Sequence, residues 1–303
     1  MSLHSDPEWP RASEWLANGV ADQARRVGVV GLPSRRGSIS PGRCDFAPAA
    51  IRNSLVKFST FDLTNGVDIG SVGAQDYGDI PIADFRIEDA FELSHDAVQQ
   101  ALAENEKVVI LGGDNAITRP SARALGSDLS RIGVVTLDAH LDLRTLENGL
   151  TNGNPIRALL ADGMPGKNIV QIGIQAFANS AAYYQVAKDN GITVVSMETV
   201  HAKGLIEVLK PEVERLADQV DAIYFDLDLD VMDRLFAKGT PGSRPGGLTP
   251  HQVVLAARYM GSHHKVKAMD LVELDPDLDE GGATALTAGM ALLTFVSGMA
   301  SQL

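Results

Sequence analysis

The 303-residue sequence is poor in cysteine and in positive charge. Its single cysteine, Cys44, excludes an internal disulfide framework and any zinc site built from several thiolates. Lys and Arg number 26 against 39 Asp and Glu, which gives a formal net charge of −13, so no basic surplus exists to neutralise nucleic-acid phosphates. Hydrophobic residues make up 45%, which permits a large core and excludes wholesale disorder. We therefore expect a globular protein that does not bind nucleic acid.

The chain also lacks an N-terminal apolar segment of the secretory type, because residues 1–16 interleave four charged residues with the apolar ones. Residues 281–303, in contrast, contain no charged side chain and are long enough to span a bilayer. They are rich in Thr, Ser, Gly and Ala, as a helix covered on all sides in a globular core can be. We therefore predict a buried core helix there, no membrane contact and a cytoplasmic location.

Short apolar runs rich in β-branched residues recur along the chain, each followed by turn residues and a helical pattern. Most are apolar throughout, which is typical of parallel strands buried on both faces. The predicted strands are 27–32, 108–111, 132–137, 169–174, 192–195, 222–227 and 266–271. The predicted helices are 87–104, 118–124, 155–161, 180–190, 205–219 and 250–260. No linker or repeat divides the chain, so we predict one α/β domain over residues 1–303, with a mostly parallel sheet between layers of helices.

Acidic side chains follow four of these strands, where each strand ends. The segments are Gly112-Gly-Asp-Asn115, Asp138-Ala-His-Leu-Asp142, Asp228-Leu-Asp-Val-Met-Asp233 and Glu273-Leu-Asp275. Because the carboxyl ends of parallel strands meet at one edge of a sheet, we expect these groups to lie together. Crowded carboxylates repel one another, and a divalent cation relieves that repulsion. An oxygen-rich set with one imidazole suits Mn²⁺, and Mg²⁺ or Zn²⁺ less well.

A solvated loop is the alternative interpretation of each acidic segment. One Asp-x-Asp after a strand usually is such a loop. Here an Asp-x-His-x-Asp segment and an Asp-x-Asp-x-x-Asp segment both close apolar strands, which favours a shared metal site.

Taken in order, these motifs resemble those of the ureohydrolase superfamily, which includes arginases, agmatinases and formimidoylglutamases. The resemblance runs from Gly31-Leu-Pro and Pro48-Ala-Ala-Ile-Arg52 to Gly239-Thr-Pro and Glu273, nearly the whole chain. It implies a three-layer αβα fold of the arginase type, in which a hydroxide between two Mn²⁺ ions cleaves a C–N bond of a guanidino or formimino group. Residues 138–144 and 174–180 look most like formimidoylglutamases, which would place the chain in histidine catabolism.

The resemblance implies the metal ligands residue by residue. Asp138 and Asp228 would bridge the two metal ions. Asp142 would complete the ligand set of one ion, and His140 and Asp230 would complete that of the other.

The resemblance also implies that Glu273 accepts hydrogen bonds from the amidine nitrogens of the substrate. Glu273 and Asp142 are the predicted catalytic residues. The aspartate register has one alternative, because the additional Asp226 upstream allows Asp226/Asp228 as the ligating pair in place of Asp228/Asp230.

Two asparagines depart from the superfamily's pattern. Asn115 stands where the superfamily has a histidine that ligates the first metal ion, and Asn152 stands where a histidine is commonly assigned to proton transfer. An amide oxygen is a weaker ligand than imidazole for a transition metal, so we predict two Mn²⁺ per chain with the ion near Asn115 held more loosely. Asn152 cannot titrate and is predicted to bind substrate by hydrogen bonds. A proton would then move through Glu273, a carboxylate near Asp230 or bulk water.

Arg144, Asn179 and Ser180 are the predicted contacts for the polar end of a small amidine or guanidine substrate. Arg144 could pair with a substrate carboxylate or form a surface salt bridge, and Asn179 could instead cap the next helix. Formimidoylglutamate is the first choice of substrate; an agmatinase or a guanidino-acid hydrolase is the alternative. A second hypothesis is a catalytically impaired subunit that binds a small molecule or an active homologue. The resemblance implies a homotrimer or homohexamer.

Overall fold

A sheet of eight parallel strands forms the middle layer of the protein. The computed structural model describes residues 6–19 and 26–301. The first five residues of the segment predicted to lack a secretory signal, and the last two of the predicted core helix, lie outside the described residues. The strands are β1 (Arg26–Leu32), β2 (Phe61–Asp62), β3 (Val67–Asp68), β4 (Gly73–Asp79), β5 (Lys107–Gly112), β6 (Ile132–Leu137), β7 (Ile169–Ile174), β8 (Thr193–Ser196), β9 (Ala222–Asp228) and β10 (Val266–Val272). Across the sheet they run β4-β1-β5-β10-β9-β6-β7-β8, and β2 pairs with β3 separately in antiparallel fashion.

Helices cover both faces of this sheet. They are α1 (Ala12–Asn18), α2 (Ala47–Ser54), α3 (Ile87–Glu104), α4 (Thr118–Arg123), α5 (Pro155–Ala161), α6 (Ala181–Asn190), α7 (Met197–Lys203), α8 (Leu205–Ala217), α9 (Pro250–Ser262) and α10 (Ala283–Ala300). One apolar cluster packs helices α1, α2, α7, α8, α9 and α10 against one face of the sheet. A second cluster packs helices α3, α4, α5 and α6 against the other face. Successive residues such as Val29 and Val30 enter opposite clusters, so each central strand is apolar throughout. The predicted three-layer fold is confirmed.

The predicted strands are present with bounds within one residue, and the predicted helices within two. The edge strand β4 was not predicted, because half of its residues face solvent and it has no apolar run. Asp76 and Asp79 at its end instead form ion pairs with Arg52 of α2. The short helices α1, α2 and α7 were also missed, since each has fewer than three turns of pattern.

The uncharged C-terminal segment forms helix α10 within the core. A helix over Glu280–Ala300 is long and apolar enough to cross a membrane, yet 78% of its apolar window is buried in the protein. It packs closely on α9: a Cβ atom on Gly261 would lie 2.0 Å from the carbonyl oxygen of Phe295, and one on Gly298 would lie 2.1 Å from that of Arg258. Helix contact in the core therefore accounts for the small residues of this segment, as its composition predicted.

A row of buried polar side chains crosses the sheet just before its strands end. The register aligns Gln171 with Thr136, Thr136 with Asp226, and Asp226 with Asp270. Burial raises the pKa of both facing carboxyls, and the charge of Asp270 raises the pKa of Asp226 further. The Tyr224 hydroxyl donates to Asp270 Oδ2 at 2.5 Å. The pair is therefore accommodated by holding a proton rather than by carrying two negative charges.

Asp226→Asn is expected to stabilise the metal-free protein at neutral and alkaline pH. Because the pKa of Asp226 is higher in the folded than in the unfolded state, its contribution to stability falls as pH rises above about 3.9, the unfolded value. An asparagine has no proton to lose and can donate to Asp270. We expect the free energy of unfolding to rise by about 1–2 kcal/mol at pH 8 and to change little near pH 4.

Urea unfolding between pH 4 and pH 9 measures this difference. Asp218→Asn, on an exposed residue, is the matched control and should leave stability unchanged. A less stable Asp226→Asn protein at pH 8 would contradict the carboxyl-pair interpretation.

Candidate metal centre

Four adjacent strands, β5, β10, β9 and β6, end at one edge of the sheet and bring the acidic segments together. The residues that follow them are Asn115 after β5, Glu273 after β10, Asp228 and Asp230 at the end of β9, and Asp138, His140 and Asp142 after β6. All are buried except His140, which is partly exposed. Strand order therefore collects at one point residues that lie far apart in sequence.

His140, Asp138 and Asp230 form the tightest cluster. The ring nitrogen His140 Nδ1 lies 2.9 Å from Asp230 Oδ2 and 3.5 Å from Asp138 Oδ1. Candidate ligand atoms of the three residues all lie within 4.8 Å of one another. Backbone groups fix the carboxylates, because the N–H of His140 donates to Asp138 at 2.6 Å and that of Ala139 donates to Asp230 at 3.3 Å. Asp230, rather than Asp226, is thus the neighbour of the imidazole; Asp226 faces Asp270 in the row beneath.

Asn115 contacts Asp142, the second acidic residue of the loop after β6. Its Nδ2 donates to Asp142 Oδ2 at 2.5 Å, and its Oδ1 accepts from the Thr118 hydroxyl at 2.6 Å. The same hydroxyl lies 3.0 Å from Asp270 Oδ2. Asn115 therefore links Asp142 to the carboxyl pair beneath the site.

Glu273 is buried and held by two asparagines. Its Oε1 accepts from the backbone N–H of Asn115 at 2.8 Å and from Nδ2 of Asn152 at 2.9 Å. Burial and the nearby Asp114 raise the pKa of Glu273 to about 8, although these two hydrogen bonds oppose the rise. Asn152 also accepts from the N–H of Ile39 at 3.1 Å. Asn152 thus connects the loop after β1 to Glu273, a role that no local sequence pattern indicated.

The charges at the site are unequally shared. Burial and Asp230 raise the pKa of Asp138 to about 6, and burial together with neighbouring carboxylates raises the pKa of Asp142 and Asp228 well above the usual range. Burial alone would lower the pKa of His140, but Asp230 and Asp138 raise it to about 11. Burial alone would raise the pKa of Asp230, but the imidazolium lowers it. One ion pair therefore stands among carboxyls that repel one another, a donor set that fits a divalent cation.

Backbone strain is concentrated in the loops around this site. Within the described ranges, the non-glycine residues with positive φ are Asp142 (51°), Phe177 (62°) and Glu273 (64°). Two of them are the predicted catalytic residues. The third lies in the loop after β7 with its phenyl ring exposed to solvent. Strained conformations of this kind persist where the surrounding structure imposes them, and they are frequent at active sites.

A cavity of about 250 Å³ opens at the acidic residues that follow β6, β9 and β10. Its lining includes His140, Asp142, Asp228, Asp230, Glu273, Asn152, Asn179, Arg144 and Arg244. Asp138 and Asn115 do not line it. Arg144 forms no ion pair within residues 6–19 and 26–301, so the surface salt bridge considered for it is not found there.

The two polar residues after β7 have structural partners. Asn179 accepts from the N–H of Leu141 at 2.8 Å and donates to the carbonyl of Ala139 at 3.1 Å, so it supports the β6 loop. Ser180 caps α6 by accepting from the N–H of Tyr183 at 3.1 Å and lines a neighbouring, larger cavity. Asn179 therefore does not cap α6, and Ser180 lies outside the lining of the metal cavity.

Arg244 lines the cavity but was not among the candidates. It lies in the glycine-rich loop 239–247 after β9, and the position of that loop after a strand was the available signal. No local pattern indicated which residue of the loop would face the carboxylates, because that depends on how the loop folds back over β9.

The sequence model of the Arginase family matches residues 25–297 of this chain. The formimidoylglutamase of Halalkalibacterium halodurans is 37% identical over 283 residues, covering 89% of this chain and 86% of that protein. The formimidoylglutamase of Bacillus subtilis is 32% identical, covering 98% of this chain and 95% of that protein. A crystal structure of a B. subtilis formimidoylglutamase matches with a TM-score of 0.91 at 31% identity, covering 98% of this chain and 94% of that one. A crystal structure of Trypanosoma cruzi formiminoglutamase with Mn²⁺ matches with a TM-score of 0.87 at 25% identity, covering 96% and 99%. Matched over most of its length by the family model and by these relatives, the chain belongs to the arginase family.

Proposed function

We propose that this arginase-family hydrolase is a manganese-dependent formimidoylglutamase, which hydrolyses the C–N bond between the formimino carbon and the amino nitrogen of glutamate and so releases formamide and glutamate. The observation that carries the proposal is the convergence of His140, Asp142, Asp228, Asp230 and Glu273 on one cavity. The names of the H. halodurans and B. subtilis relatives support the choice of substrate. The T. cruzi formiminoglutamase structure with Mn²⁺ supports the choice of metal.

The residues that would hold two Mn²⁺ ions are Asp138, His140, Asp142, Asp228 and Asp230. When bound, divalent cations acidify water and stabilise the negative charge that develops during hydrolysis. Bound cations would relieve the mutual repulsion of these carboxyls, and this relief favours metal binding.

Asn115 is proposed as a weaker ligand. The Thr118 hydroxyl has one proton and lies within hydrogen-bond distance of both Asn115 Oδ1 and Asp270 Oδ2. Rotating the Asn115 amide by half a turn would let Nδ2 donate to Thr118, whose proton then goes to Asp270. The amide oxygen would face Asp142, a favourable arrangement only if a cation lies between them.

Glu273 is positioned to bind the amidine. Its Oε1 is occupied by Asn115 and Asn152, whereas its Oε2 has no hydrogen bond within the described part of the chain. We propose that Oε2 accepts an N–H of the formimino group as a charge-assisted hydrogen bond. Asn152 bonds to Glu273 and Ile39 and cannot titrate, so proton transfer to the leaving amine falls to Glu273, to a carboxylate near Asp230 or to bulk water.

The Mn²⁺-loaded protein is expected to release formamide and glutamate, and no urea, from formimidoylglutamate. Metal analysis should give about two Mn²⁺ per chain. Glu273→Gln should keep the fold and lower kcat/KM by about 100-fold, since it replaces a charge-assisted contact. Assays that detect formamide, ammonia and urea separately, over a panel of amidines and guanidines, measure this.

Release of urea from agmatine or a guanidino acid would replace this proposal with the alternative substrates. If the protein neither takes up metal nor turns over any of these compounds, that result would favour the hypothesis of a catalytically impaired subunit.

Asn115→His is expected to raise Mn²⁺ affinity by about tenfold, because imidazole is the better ligand for this metal. Calorimetric titration of the metal-free protein measures the affinity. Asn190→His, at the exposed end of α6, controls for the effect of an additional histidine. If Mn²⁺ binds both variants as it binds the unmodified protein, Asn115 does not contact the ion.

The metal-free protein is expected to lose thermal stability as pH rises from 5 to 8. The pKa values of Asp138, about 6, Glu273, about 8, and His140, about 11, all exceed those of the unfolded chain, so the folded state binds more protons and is favoured by low pH. Metal ligands bind in their deprotonated form, so the increase in Tm caused by Mn²⁺ should grow over the same range.

Thermal unfolding with chelator and with Mn²⁺ tests both statements. Asp228→Asn should reduce the Mn²⁺-dependent increase. A metal-free Tm that rises with pH would show that the acidic cluster is not under the repulsion inferred here.

A further inference from the structure

Two arginines from different loops line the same acidic cavity. Arg144 follows the metal-ligand segment after β6, and Arg244 lies in the glycine-rich loop after β9. Both are exposed, and neither forms an ion pair with a carboxylate of the described residues. These guanidinium groups are therefore available to a ligand.

The backbone around each arginine restricts its position. The N–H of Arg144 donates to the carbonyl of Gly153 at 3.1 Å. A Cβ atom on Gly153 would lie 2.6 Å from Cδ and 2.8 Å from Nε of Arg144, so the arginine stem lies directly against that glycine. Nη1 of Arg244 donates to the carbonyl of Gly242 at 2.7 Å, and its own carbonyl accepts from the N–H of Arg234 at 3.0 Å. Both cations are thus held in place before a ligand arrives.

Their charge is opposite to that of the cavity. The deeper lining contains four carboxyl groups, on Asp142, Asp228, Asp230 and Glu273, with His140 as the one imidazole. Cations at the proposed metal site would neutralise the three aspartates, so Glu273 is the carboxyl left to attract an amidinium, whereas a carboxylate is attracted to the arginines. A substrate would therefore place its amidine at Glu273 and its carboxylates toward Arg144 and Arg244.

We propose that Arg144 and Arg244 together select amidine substrates that carry two carboxylates, each guanidinium pairing with one of them. This inference deepens the proposed function and rests on it for the position of the amidine. One arginine would suffice for a guanidino acid with a single carboxylate, and none is needed for a cationic amine such as agmatine. The second guanidinium is what distinguishes a dicarboxylate site.

Kinetics with matched substrates test this selection. Formimidoylglutamate and formimidoylglutamine differ only in the distal carboxylate, which a neutral carboxamide replaces. The Mn²⁺-loaded protein is expected to prefer the dicarboxylate. Arg144→Gln and Arg244→Gln should each raise its KM by about 10- to 100-fold with kcat within about threefold, because the contacts are charge-assisted and remote from the amidine. Only the variant that lacks the arginine paired with the distal carboxylate should lose the preference for formimidoylglutamate over formimidoylglutamine.

Two further variants separate selection from general effects of charge. Arg36→Gln removes an exposed arginine that lines a neighbouring surface pocket but not this cavity, and KM should change by less than about twofold. Gly153→Ala should displace the Arg144 stem and raise KM while the charge is unchanged. An equal rise in KM for Arg36→Gln would mean general electrostatic attraction and would overturn the proposal.

Calorimetric binding of glutarate to the Mn²⁺-loaded protein needs no turnover. We expect binding that weakens at least tenfold in each of Arg144→Gln and Arg244→Gln. If formimidoylglutamate is hydrolysed but neither variant changes KM or glutarate binding, the dicarboxylate selection is wrong and the proposed function stands. If no amidine is hydrolysed but glutarate binding requires both arginines, the proposed function fails and the dicarboxylate site stands. Dependence on only one arginine overturns the paired assignment.

Discussion

Repulsion among buried carboxyls at the ends of four adjacent parallel strands is the constraint on which the site depends. Strands β5, β10, β9 and β6 end side by side and cannot separate without disrupting the apolar layers on both faces. Carboxyls brought together in this way either hold protons or share cations. In the row beneath, where Asp226 faces Asp270, burial raises the pKa of both carboxyls, which favours a retained proton. The row above opens into a cavity, and there His140 forms an ion pair with Asp230 and also lies 3.5 Å from Asp138. The same sheet thus supports a structural carboxyl pair and a candidate metal site in successive layers.

Asparagine side chains hold the loops that carry this charge. Asn115 connects Asp142 to Thr118, Asn152 connects Glu273 to the loop after β1, and Asn179 supports the β6 loop from the strand beside it. An amide donates and accepts at once, so it can bridge a carboxylate and a backbone group without adding charge. These bridges help to hold Asp142 and Glu273 at positive φ, a conformation that costs free energy in an isolated loop. The two asparagines predicted to replace histidines of the superfamily, Asn115 and Asn152, therefore both have a supporting role.

The distribution of charge along the cavity accounts for the direction in which a substrate would enter. The carboxyls lie within the cavity wall, and the unpaired guanidinium groups of Arg144 and Arg244 are exposed to solvent. A molecule with a cationic amidine at one end and carboxylates at the other matches this arrangement in one orientation only. Electrostatic complementarity of this kind provides specificity as well as attraction. The proposed function and the proposed selectivity thus follow from one charge pattern.

The sequence by itself determined the layered fold and the edge of the sheet at which the polar segments meet, because strands buried on both faces are apolar throughout and functional loops follow their carboxyl ends. It did not determine the partner of each polar side chain. Asp226 and Asp230 lie at equal spacing on either side of Asp228, and the positions of β10 and β6 decided that Asp226 faces Asp270 while Asp230 reaches His140. Arg244 became part of the cavity through the path of its loop. Local periodicity fixes which face a residue occupies, whereas strand order and loop path fix what lies opposite it.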